Sequence, residues 1–68
     1  MRPVSGKRTC KALERKGWTW VRTNGSHHHY QHPDVPGTVP VPVHANRDMR
    51  PGTQRDVMRQ AGLTDADL

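Results

Sequence analysis

The chain has 68 residues, with 11 Lys and Arg against 6 Asp and Glu, a formal net charge of +5 and a sequence pI near 10.4. That length holds a single domain, residues 1–68, and argues against a deep enclosed pocket; with 31% hydrophobic residues and no Phe, the core must come from Leu13, Trp18, Trp20, Val21, Tyr30, Val39, Val41, Val43, Val57, Met58 and Leu63. The basic surplus points to a polyanion such as nucleic acid, with solubility or an acidic protein partner as the plainer alternatives.

In chain order, "MRPVSGKRTCK" lacks the apolar stretch of a secretory signal, and no later run approaches the roughly 20 apolar residues of a membrane span. "VSGKRTCKALERKGW" predicts a helix: Ser5 is its N-cap, Cys10 and Leu13 share one face, and Gly17 suits the left-handed position past its end. The other face is basic, with Lys7, Arg8, Lys11, Arg15 and Lys16 turned to solvent or ligand. Cys10, the lone cysteine, can form no internal disulfide, which fits a cytoplasmic location; on the packed face its thiol is an inert small hydrophobe.

"WTWVRT" predicts a strand with Trp18 and Trp20 on one face and Thr19 and Val21 on the other. Both tryptophans are expected in the core, although aromatic side chains can also stack nucleic-acid bases. Asn24-Gly25 predicts a hairpin turn, and a second, antiparallel strand follows from about Ser26. On it His27, His29 and Gln31 face one way, and His28, Tyr30 and His32 the other. "TVPVPVHAN" predicts a third strand at a sheet edge, because Pro40 and Pro42 donate no hydrogen bonds. A second helix starts near Pro51 to Thr53, with Thr53 and Asp56 as an imperfect capping box, buries Val57, Met58 and Ala61, and stops at Gly62. Thr64 can cap one last turn. The expected class is α+β, in the order α-β-β-β-α, with a three-stranded antiparallel sheet packed on two helices.

Four of the five histidines fall within "TNGSHHHYQH", Thr23 to His32. A metal site needs ligands that converge, and neither a paired Cys nor an HExxH element accompanies them; no metal or cofactor is expected. Cys10 is a poor nucleophile on a packed face, and Ser26 and His27 point to opposite sides of a strand. Acid/base chemistry on RNA fits better, because histidine titrates near neutral pH and the 2′-hydroxyl supplies the nucleophile. Lys and Arg nearby would stabilise the charge developing on the phosphoryl oxygens. The bland alternative is that these are polar strand residues.

The blocks "SGK" (5–7), "LERKGW" (13–18), "GSHHHYQHPD" (25–34), "VPVH" (41–44) and "RPGTQRDVMRQAGL" (50–63) together resemble the HicA toxins of toxin–antitoxin modules, over nearly the whole chain. The resemblance implies a double-stranded-RNA-binding-domain-like fold and the toxin role in a type II toxin–antitoxin system. It also implies ribosome-independent cleavage of mRNA and neutralisation by a HicB antitoxin that covers the active site. The family's catalytic histidine follows Gly-Ser and maps onto His27, while His28 is commonly histidine in relatives. His29, where an aliphatic residue is usual, and the extra prolines of "VPGTVPVPVH" are departures. Taken with the basic residues, the resemblance leads to an endoribonuclease with His27, and secondarily His28, as acid/base group. Lys7, Lys11, Arg22, Ser26 and Arg50 would position RNA, Gly25 would hold the turn, and His44 would serve structure or positioning. The alternatives are a non-catalytic RNA-binding module, or an inactive toxin remnant that binds only its antitoxin.

Overall fold

The computed structural model describes residues 1–68. Its elements are α1 (Gly6–Arg15), β1 (Thr19–Asn24), β2 (His27–His32), β3 (Val35–Pro42) and α2 (Pro51–Ala61), followed by a 3-10 turn at Asp65–Asp67.

Local chemistry sets the helix ends. Ser5 Oγ accepts the Arg8 N–H at 3.1 Å, capping α1. At the other end the Gly17 N–H donates to the Glu14 carbonyl at 3.1 Å and the Trp18 N–H to that of Leu13 at 3.0 Å, with Gly17 left-handed at φ 92°. This double closure satisfies the last carbonyls and turns the chain into β1. α2 starts at Pro51 after Arg50, which caps with no side-chain bond, so Thr53 and Asp56 do not form its start. It ends at Gly62, φ 67°, with the Leu63 N–H on the Met58 carbonyl at 2.8 Å.

The sheet runs β1-β2-β3, antiparallel throughout, so the proline-bearing β3 is an edge strand as its composition requires. The hairpin turn falls one residue later than Asn24-Gly25: Asn24 pairs with His27, and the turn residues are Gly25, at φ 58°, and Ser26. Glycine at the first of two turn positions is the II′ requirement, which matches the twist of the flanking strands.

Both helices pack on the sheet face that carries Tyr30, Val39 and Val41, closing a core with Leu13, Trp18, Val57, Met58 and Leu63. Val4, Ala12 and Met49, unremarkable in sequence, complete it, and Val43 is half-buried against it. This is the double-stranded-RNA-binding-domain-like α+β arrangement. Two core expectations fail: Trp20 is 55% and Val21 43% exposed. β1 is the outer strand, exposed along its whole length, and a bulge between Trp20 and Arg22 takes Val21 out of the alternation.

Gln54 is fully buried and ties the N-terminal segment to α2. Its Oε1 accepts the Val4 N–H at 3.0 Å, and its Nε2 donates to the Arg2 carbonyl at 2.7 Å. The C-terminal turn docks on α1: Lys16 pairs with Asp67 at 3.2 Å, Arg15 donates to the Asp67 carbonyl and Arg8 to that of Leu68. The Thr64 N–H, then Lys16, hold the Asp67 carboxyl below the usual range. Of the basic residues on α1, Lys7 and Lys11 therefore remain without a partner. No helix is long and apolar enough to cross a membrane.

Candidate functional site

The alternation of β2 separates the histidines. His27 pairs with Pro42 and His29 with Pro40 on the face away from the core, whereas His28 pairs with Val41 and Tyr30 with Val39 on the helix face. His27 and His28 therefore cannot converge on one reacting group. His32 has a structural role, since its ring lies 5.3 Å from that of Trp18 and its Nδ1 accepts the Asp34 N–H at 3.1 Å in the turn after β2. No three His, Cys, Asp or Glu side chains are grouped to hold a metal ion.

His27 is exposed at the rim of a cleft of about 610 Å³ along the edge of β3, between Pro40 and Pro42 and the outer side of α2. The cleft also takes in His44, Arg47 and Arg50, with Asp48 and Asp56 as its acidic members. The Val43 N–H donates to the Ser26 carbonyl at 2.7 Å, carrying the β2–β3 ladder past the end of β3. With His27 opposite Pro42, His44 follows two residues past the end of β3 and lines the same cleft as His27. A turn closed by the Arg47 N–H on the His44 carbonyl, at 3.0 Å, brings Arg47 back to the cleft. Arg50 stands at the uncapped start of α2, where free backbone N–H groups and the helix dipole favour an anion.

His29 shares the face of His27 and lies opposite Arg22. Its Nδ1 is enclosed and unpartnered; the lost hydration, then Arg22 and His27, push its pKa below the ordinary imidazole value.

On the helix face a second, shallower groove is lined by Lys7, Lys11, Trp20, His28, Tyr30 and Val43, together with Cys10 and Glu14. The Tyr30 hydroxyl donates to Glu14 Oε2 at 2.8 Å, and burial pushes both the Cys10 thiol and the Tyr30 phenol up. Neither ionises near neutral pH.

The sequence-derived positions thus divide. His27 and Arg50 share the cleft, Arg22 pairs with His29 on the face of His27 but outside the cleft lining, and Gly25 and Ser26 form the turn that presents His27. Lys7, Lys11 and His28 line the other groove. Arg47 is a cleft residue that the sequence does not single out, and His44, expected in a supporting role, lines the cleft beside it; the only local signal is a basic residue three positions after a strand-end histidine.

A search of curated proteins returned no match to the chain. The profile of a family described as "HicA toxin of bacterial toxin-antitoxin" matches residues 6–63. That span starts at the first residue of α1 and runs through every strand to the residue after Gly62, so it takes in both the His27 cleft and the His28 groove. With its fold and most of its length accounted for in this way, the chain belongs to the HicA family of toxins from bacterial toxin–antitoxin systems.

Proposed function

We propose that the chain is a metal-independent endoribonuclease that cleaves mRNA by histidine acid/base chemistry and is neutralised by a HicB-type antitoxin covering the cleft. The observation that carries this reading is the cleft uniting His27 and His44 with Arg47 and Arg50. One histidine takes the 2′-hydroxyl proton as the 2′-oxygen attacks the adjacent phosphorus; the other returns a proton to the 5′-oxygen as the P–O5′ bond breaks. The products are a 2′,3′-cyclic phosphate and a 5′-hydroxyl. Two imidazoles lining one cleft can serve a single phosphodiester as base and acid. Arg47, Arg50 and the open N-terminus of α2 stabilise the charge that develops on the non-bridging oxygens. Arg22, Gly25 and Ser26 support RNA beside His27, and Lys7 and Lys11 hold its backbone on the other side of the hairpin.

The experiment is cleavage of an end-labelled mRNA in excess EDTA by the wild type, His27→Ala and His44→Ala. His27→Ala is expected to lose about 10²–10⁴-fold in rate, and His44→Ala a loss in the same range. Full activity in His27→Ala sinks the assignment. RNA binding without cleavage by the wild type would favour a binding module.

A further inference from the structure

The two tryptophans meet different fates. Trp18 is buried against His32, whereas Trp20, on the same side of the sheet as Tyr30, keeps 55% of its surface in water. Leaving an indole exposed forgoes burial at about 25 cal/mol per Å², yet this indole is held in place. Its Nε1 donates to Thr23 Oγ1 at 2.9 Å, a contact that the β1 bulge makes possible, and its ring lies 6.3 Å from that of His28 at 35°. The groove beside it is about 290 Å³, small enough for one planar group. Lys7 and Lys11, one helical turn apart on α1, flank it with no acidic partner, and Glu14 is occupied by the Tyr30 hydroxyl.

A fixed, exposed aromatic face flanked by unpaired cations matches the chemistry of an unpaired nucleotide: a flat base to stack and a phosphate to neutralise. We propose that Trp20 and His28, with Lys7 and Lys11, form a nucleobase-stacking subsite for single-stranded RNA on the face opposite the His27 cleft. This rests on the ribonuclease reading above. His27 and His28 are consecutive residues at the start of β2, beside the hairpin turn. A strand crossing that turn therefore presents one phosphate to the cleft and a neighbouring base to Trp20. The subsite favours RNA that is unpaired at the cut, because a base within a duplex has no free face to offer.

The test titrates full-length His27→Ala protein, which binds without cutting, with a short oligoadenylate and with the same sugar–phosphate chain lacking bases. Trp20 fluorescence should be quenched by the oligoadenylate only, with the Trp18 signal as internal reference. Trp20→Ala should weaken oligoadenylate binding by about 5- to 150-fold, the range of base–aromatic stacking, and leave the abasic chain unaffected; Trp20→Phe should recover most of the loss. Lys7→Ala and Lys11→Ala should weaken both ligands alike and flatten the salt dependence. Equal effects of Trp20→Ala on both chains, or none, overturn the subsite. Unchanged oligoadenylate affinity with lost antitoxin binding assigns the groove to the protein partner instead. Cleavage by the wild type is scored separately: a wild type that cuts while Trp20→Ala shows an unchanged KM removes the subsite and keeps the nuclease. A wild type that stacks bases but does not cut does the reverse.

Discussion

His27 and His28 are consecutive in the chain and serve opposite sides of the sheet, His27 opposite Pro42 at the cleft and His28 opposite Val41 beside Trp20. Their substitutions should therefore separate kinetically. His27→Ala is expected to lower kcat, by about 10²–10⁴-fold. His28→Ala is expected to leave kcat near the wild-type value and raise KM by about 2- to 10-fold, the worth of one aromatic contact. Steady-state kinetics on one RNA substrate decides: equal losses of kcat in both variants would contradict the separation.

Gln54 is the clasp between the first residues of the chain and α2. Gln54→Ala strips the Val4 N–H of its acceptor and the Arg2 carbonyl of its donor, and leaves a void at a fully buried position. A loss of about 2–4 kcal/mol is expected from urea unfolding. Gln54→Leu fills the void but restores neither bond, so it should recover only part of this. An unchanged midpoint in either variant would show that the clasp contributes nothing.

Ala45 is the one non-glycine residue with positive φ, at 52°, and it sits in the turn that carries His44 and Arg47. The left-handed region is unfavourable for a residue with a Cβ by roughly 1–2 kcal/mol. Ala45→Gly removes that strain and adds some unfolded-state entropy, so a net gain of about 0.5–1 kcal/mol is expected in the same unfolding assay. Ala45→Val should move stability the opposite way.

The depressed pKa of His29 makes stability depend on pH. The unfolded chain takes up a proton near the ordinary value of 6.5, and the folded chain resists until lower pH, because the enclosed Nδ1, Arg22 and His27 oppose the charge. Below that value the unfolded state binds more protons, so stability is full above it and falls as pH drops toward the folded pKa. Denaturation midpoints measured from pH 7.5 to pH 5 should decline, and His29→Gln should flatten the decline. A slope unchanged by His29→Gln would place the effect elsewhere.

Chemistry carried by single residues and their immediate neighbours was legible in the sequence. Ser5, Gly17, Pro51 and Gly62 mark helix ends because a side-chain acceptor, a left-handed backbone or a missing N–H acts within one turn. Pro40 and Pro42 assign β3 to an edge, and the two-residue period of β2 separates His27 from His28 without any knowledge of the third dimension.

Tertiary structure decided whatever depends on which distant segment covers a residue. Trp18 and Trp20 look equivalent in "WTW", yet the helices cover only one of them. Arg8, Arg15 and Lys16 look as free as Lys7 and Lys11 until the C-terminal turn docks on α1. Gly6 must be glycine because any Cβ there would overlap the Pro42 carbonyl, 36 residues away in sequence. That same approach, with the Ser26–Val43 bond beside it, sets the start of α1 and the end of β3 next to the hairpin turn. His27, His44, Arg47 and Arg50 come together as one cleft only after those segments have met, since periodicity orients a side chain within its own element and only packing between elements decides what it faces.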